Sequence, residues 1–274
     1  SGPYNRPVMR DARDAGRGAL RSWAELRTTD FRGMDPERTI AVLPVAAVEQ
    51  HGPHLPLGTD ARILEGVLER LAGRAPAGVD LVALPLQAVG DSREHRDFAR
   101  TLELDPADLV RAWTSLGDCV RRAGLRKIAI VTSHAGQGQL VDLVAQALRA
   151  DHGMTAARVN TWRLGVPAGL FAADELRFGY HGGEVETSMM LALAPETVDM
   201  AAARDFANRA ADLARENATL HVEGDVGLAW QAQDLNPAGA TGNAAAADAE
   251  RGSALLDHLA GRLAEALAEL AALP

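Results

Sequence analysis

A chain with a single cysteine, Cys119, cannot close an intrachain disulfide, so the natural reading is a reducing compartment. No stretch reaches the roughly 18 to 20 uninterrupted apolar residues that a membrane span requires. Positive charge is also scarce. The 28 Lys and Arg stand against 37 Asp and Glu, a formal net charge of −9, which argues against a nucleic-acid binder held by phosphate neutralisation. Ser1 to Arg21 is polar, carries both charge signs and lacks the apolar run of a signal peptide. These absences lead to the expectation of a soluble, cytoplasmic protein with neither nucleic acid nor membrane as partner. The balance that is present, 47% hydrophobic and 24% charged over 274 residues, is that of a globular chain able to bury a sizeable core.

Residues 1–30 read as an N-terminal arm, with a helical turn around Trp23, and residues 31–274 as a single domain. Thr39 to Val45, Asp80 to Pro85 and Lys127 to Thr132 are short continuous apolar runs, the pattern of strands buried on both faces. Ala156 to Thr161 is a further strand. Helical spacing occupies the intervals: Asp60 to Arg74, then a helix opened by Asp105 and Pro106, then Gln139 to Ala150. Cys119 falls inside the second of these helices and reads as a small buried residue. The last segment carries Leu255, Leu256, Leu259, Leu263, Leu267 and Leu270 as one helical stripe. Strand and helix alternating at this length predict βαβ units, a mainly parallel sheet covered on both faces, and a functional site at the carboxyl ends of the strands.

The chemistry concentrates in Glu49-Gln50-His51-Gly52-Pro53-His54-Leu55-Pro56-Leu57-Gly58-Thr59-Asp60, which starts where the first buried strand ends. In extended backbone, residues two apart point the same way, so Glu49 and His51 can face one cavity, and Asp60 arrives at the start of the next helix. Carboxylate, imidazole and carboxylate converging in this way form a ligand set for a divalent transition metal. His134 follows the Lys127–Thr132 run, and later His181 and Glu184 bracket a glycine pair in His181-Gly182-Gly183-Glu184-Val185-Glu186-Thr187-Ser188. Three loops at one sheet edge then supply enough ligands for two metals about 3.5 Å apart sharing a carboxylate.

These motifs resemble those of the creatininase (creatinine amidohydrolase) family. The match is carried by Leu43 to Asp60, by Gly90-Asp91-Ser92-Arg93-Glu94-His95 with Phe98 and Thr101, by His134, by His181 to Ser188, and by the turn at Gly239 to Asn243. The resemblance implies a three-layer α/β/α sandwich that assembles as a homo-oligomer, commonly a hexamer. It also implies a site for two divalent ions (zinc, manganese or iron). The ligands it implies are Glu49, His51, Asp60, His134 and Glu184, with Asp60 bridging and His181 as proton donor. Creatininases carry a ligand glutamate where this chain has Gly136, and Glu184 is expected to restore the count. The flanking asparagines are replaced by Thr132 and Gln137, so the outer hydrogen bonds are expected to be rearranged. Ser92, Glu94 and His95 read as pocket lining or as loop support, and Trp162 as an aromatic wall for substrate or as packing. The implied function is metal-dependent hydrolysis of a C–N bond, amide or cyclic amide, in a small molecule by hydroxide from a dinuclear centre. Still open beside it are a formamide deformylase, a C-terminal peptide trimmer, a ring-opening hydrolase and a non-catalytic metal-binding scaffold.

Overall fold

The computed structural model describes residues 19–274; most of the expected arm, residues 1–18, lies outside the described residues. The strands are β1 (Leu20–Ser22), β2 (Thr39–Val45), β3 (Asp80–Ala83), β4 (Lys127–Thr132), β5 (Thr155–Asn160), β6 (Asp205–Phe206) and β7 (Gly242–Asn243). The helices are α1 (Thr59–Ala72), α2 (Pro106–Arg122), α3 (Gly138–His152), α4 (Ala173–Phe178), α5 (Glu184–Leu193), α6 (Arg209–Glu216), α7 (Ala232–Leu235) and α8 (Ala249–Ala272). The first five strands form one sheet in the order β1-β3-β2-β4-β5, every pair parallel.

β2 and β4 are buried along their whole length because alternate residues feed two different cores. Ile40, Val42, Ala129 and Val131 pack with α1, α5 and α8 on one face. Ala41, Leu43, Val45, Ile128 and Ile130 pack with α2 and α3 on the other. The result is a three-layer α/β/α sandwich. All six leucines of the α8 stripe are buried, each contributing roughly 1.5–3 kcal/mol. Lys127, at the start of β4, is 1% exposed and donates from Nζ to the carbonyls of Ala271 and Leu273. Its charge thereby meets the negative end of the α8 dipole.

Three expectations shift. Leu20–Ser22, placed by sequence in the arm, is the outer strand of the sheet, parallel to β3. Three residues are too short to show the period of a strand, and only the partner makes them one. His181 to Ser188 is not all loop, since α5 begins at Glu184. Cys119 is exposed on the outer side of α2 rather than buried. The capping of α2 follows the sequence: the Asp105 side chain accepts from Ala107 N at 2.8 Å, with Pro106 in the first turn.

Candidate metal centre

β2 and β4 end in register, Val45 beside Thr132, and β3 stops three residues short of them at the same edge. The loops after these strands deliver a cluster of buried acids and imidazoles. The Glu49 carbonyl lies 3.0 Å from His51 Nδ1, which leaves His51 Nε2 facing Asp60 Oδ2 at 3.6 Å. Asp60 stands in the first turn of α1 with Oδ2 free of any capping bond. From the loop after β4, His134 Nδ1 approaches Glu49 Oε1 at 3.2 Å and Asp60 Oδ2 at 3.8 Å. Thr132 Oγ1 donates to the His134 carbonyl and accepts from His134 N, locking that turn.

Glu184 is not brought to this cluster. Its carboxylate pairs with Arg251 of α8, and Glu186 stands in its place, with Oε1 3.9 Å from His51 Nε2. The reason is helical geometry: at about 100° per residue, positions two apart in a helix point to nearly opposite sides. Only one of the two glutamates can face the cavity. Glu186 Oε2 accepts from Gly182 N at 2.5 Å, across a turn whose glycine has a φ of +63° and passes close to the His51 carbonyl.

Four groups of mutually close ligand atoms result among the described residues: Glu49, Asp60 and His134; His51, Asp60 and Glu186; Glu49, His51 and His181; and Glu49, Glu94 and His95. The first two together offer a pair of adjoining sites. Asp60 belongs to both. Glu49 Oε1 and Oε2, His51 Nε2 and Asp60 Oδ2 are buried without a well-aligned hydrogen bond. His134 Nδ1 and His95 Nε2 do stand 3.2 and 3.3 Å from Glu49 Oε1, and acids crowded this way favour a cation among them. These residues fit divalent ions by that test and by their mixed nitrogen and oxygen donors. Burial, then the Glu49 charge, holds the Asp60 carboxyl well above its ordinary value, and burial raises that of Glu186. Burial, then His181, pushes His51 well down. For His134 burial acts downward, but the facing carboxylates of Glu49, Glu94 and Asp60 outweigh it and hold the ring well above the ordinary histidine range.

His181 is sandwiched between two other imidazoles, its centroid 4.1 Å from those of both His51 and His95. Its Nε2 lies 2.5 Å from the Gln50 carbonyl and its Nδ1 3.7 Å from Glu49 Oε1. His95 Nε2 stands 3.3 Å from Glu49 Oε1 and its Nδ1 2.7 Å from Gln50 Nε2. Glu94 reaches His134 Nε2 at 3.2 Å. Ser92 is fully buried with an unpartnered hydroxyl. Trp162 donates from Nε1 to the Ser133 carbonyl at 2.6 Å, bracing the backbone beside His134.

Besides Glu186, the sequence reading passed over Gln50, which donates to the Gly239 carbonyl, and Thr241, which receives the N–H groups of Tyr180 and His181. It also passed over Glu175, which accepts from the N–H groups of Glu184 and Asn243 and anchors the start of α5. The helical pattern from Glu184 onward was the available signal for Glu186. Gln137 both donates, to the Ala46 carbonyl and Thr132 Oγ1, and accepts from Asp91 N.

A three-layer sandwich with a buried acid–imidazole cluster at the carboxyl edge of its parallel sheet defines a class of metal-site α/β proteins. The family model for creatininase (creatinine amidohydrolase) matches residues 24–267, and the chain belongs to that family. A mycofactocin precursor peptide peptidase from Mycolicibacterium smegmatis is 32% identical over 175 residues, covering 63% of this chain and 65% of the relative. A creatinine amidohydrolase from Pseudomonas putida is 29% identical over 176 residues, covering 59% and 66%. Each match thus spans just under two thirds of the relative's length. A solved structure titled "Creatininase Mn" shares the fold, with a TM-score of 0.71 at 21% identity over 92% of this chain and 98% of that one.

Proposed function

We propose that this chain is a metal-dependent amidohydrolase that cleaves the C–N bond of a small amide, linear or cyclic. The observation that carries the reading is Asp60, shared by two ligand-atom groups in which Asp60 Oδ2, His51 Nε2 and the Glu49 oxygens are buried without a well-aligned hydrogen bond. Glu49, Asp60 and His134 would hold one ion, and His51, Asp60 and Glu186 the other. Divalent ions there supply Lewis-acid polarisation of a carbonyl and activation of water at neutral pH. The protein's own part is to orient and to move protons. His51 is fixed by its Nδ1 contact with the Glu49 carbonyl, and His134 by the Asp91 carbonyl at Nε2. His181 is held through Nε2 and turns Nδ1 toward the acids, so Nδ1 is the atom from which a proton can reach the leaving nitrogen. Ser92, His95 and Trp162 frame the approach.

Peptide trimming is the second reading, favoured by the name of the Mycolicibacterium relative. The test is metal analysis of purified protein, followed by turnover of small amides, cyclic amides and short peptides with manganese or zinc. Near two equivalents of metal with amide turnover is the expected result. Metal-free protein that does not take up ions on incubation would refute the reading.

A further inference from the structure

Gly136 occupies a place where no side chain fits. A Cβ there would fall 1.9 Å from Glu94 Oε1 and 2.8 Å from His134 Nε2. The backbone does not demand glycine, since Gly136 is not among the positive-φ glycines. What excludes a side chain is first the Glu94 carboxylate, which comes from the loop after β3 and takes up the space beside the His134 ring, and then the edge of that ring itself. The two nitrogens of that ring have separate surroundings. Nδ1 faces Glu49 and Asp60, while Nε2 lies 2.8 Å from the Asp91 carbonyl and 3.2 Å from Glu94 Oε1. A carboxylate and a carbonyl at Nε2 keep the proton on that nitrogen, leaving the Nδ1 lone pair for a cation.

We propose that Glu94 and Gly136 act as one coupled device. The bare Cα of Gly136 opens the space through which Glu94 holds His134 by Nε2, making Glu94 a positioning residue for the ion bound with Glu49 and Asp60. The inference rests on the metal-centre reading above. It gives Glu94, which also belongs to a ligand-atom group with Glu49 and His95, the part of holding His134 from its Nε2 side, a part Glu184 cannot take from its pairing with Arg251.

The coupling sets the experiment. Glu94→Ala removes the carboxylate, whereas Gly136→Ala leaves it in the chain but pushes it away from His134. The nearer colliding atom is the free end of a flexible side chain that can swing away, so the Gly136→Ala protein is expected to fold with its new methyl against His134 Nε2. Manganese and zinc dissociation constants are measured by chelator competition for wild type, Glu94→Ala, Glu94→Gln, Gly136→Ala and the double alanine variant, with far-UV circular dichroism on each. Both single alanine variants should weaken one ion by about 10- to 100-fold. The double variant should be no weaker than Gly136→Ala, because that change already removes the Glu94 contact as well as crowding His134. Glu94→Gln, whose amide oxygen still accepts from Nε2, should recover most of the loss. Losses that multiply in the double variant would overturn the coupling, as would a folded Gly136→Ala protein with wild-type affinity. Glu94→Ala that loses thermal stability but not metal affinity would overturn the positioning role. Wild type that binds no ion would remove the metal-centre reading and this inference with it; wild type and Glu94→Ala loading equally would remove this inference alone.

Discussion

Glu49 and His51 are two residues apart, and so are Glu184 and Glu186, yet the two pairs behave in opposite ways. The first pair lies in the loop after β2, outside any helix, and both members reach the cavity. The second lies in the first turn of α5, where the same separation turns one carboxylate inward and the other to Arg251. Spacing therefore carries chemical meaning only once the local backbone period is known. The N-terminal end of α5 also favours negative charge, so both glutamates suit the helix start whichever way they face.

The comparison breaks hardest at the residue on which the groups converge. Asp60→Ala should lose both ions after dialysis and reduce turnover by more than the ~10- to 100-fold typical of an outer partner. His51→Ala should mainly weaken one ion. Full metal content in the Asp60→Ala protein would show that Asp60 does not bridge. Within the second segment, His181→Ala should keep both ions and lose roughly 10² to 10⁴ in turnover, the usual share of a general acid. Rescue of that variant to wild-type rates by excess metal would assign His181 to ligand support instead.

The glutamate pair offers the most direct contrast. Glu186→Gln should lower metal occupancy with little effect on the metal-free fold. Glu184→Gln should keep the metal and lose about 1–2 kcal/mol of stability, a modest figure because its Arg251 partner is one third exposed. Equal metal loss in both variants, measured by elemental analysis, would contradict the helical account.

The smallest effect concerns the bond that ties the two segments, His54 Nε2 to Thr187 Oγ1 at 2.9 Å. Burial pushes the His54 pKa down from 6.5 to about 4. Between these values the unfolded chain holds the proton and the folded chain does not, so acidification favours unfolding and stability rises with pH. The stability advantage of wild type over His54→Gln in metal-free protein should therefore shrink as pH falls from 6.5 to 4. Thermal melts at a series of pH values check this, and a constant difference would show that His54 does not titrate in that window.

The parallel sheet, the capped start of α2 and the α8 stripe could be read before any coordinates, because each expresses a local rule: an unbroken apolar run, a cap followed by proline, a helical period. The run Glu49 to Asp60 could be singled out as a candidate site by its acids and imidazoles. Residue by residue, β2 and β4 coincide with the apolar runs Thr39–Val45 and Lys127–Thr132. Three features could not be read that way. β1 exists because β3 offers it an edge; Glu186 faces the cavity because α5 starts at Glu184; and the space above Gly136 belongs to Glu94, 42 positions earlier in the chain. Local sequence determined which residues are candidates for the chemistry and which segments hold them. Which carboxylate meets which imidazole was decided only by the tertiary structure, because excluded volume and burial act between atoms that are neighbours in space and distant along the chain.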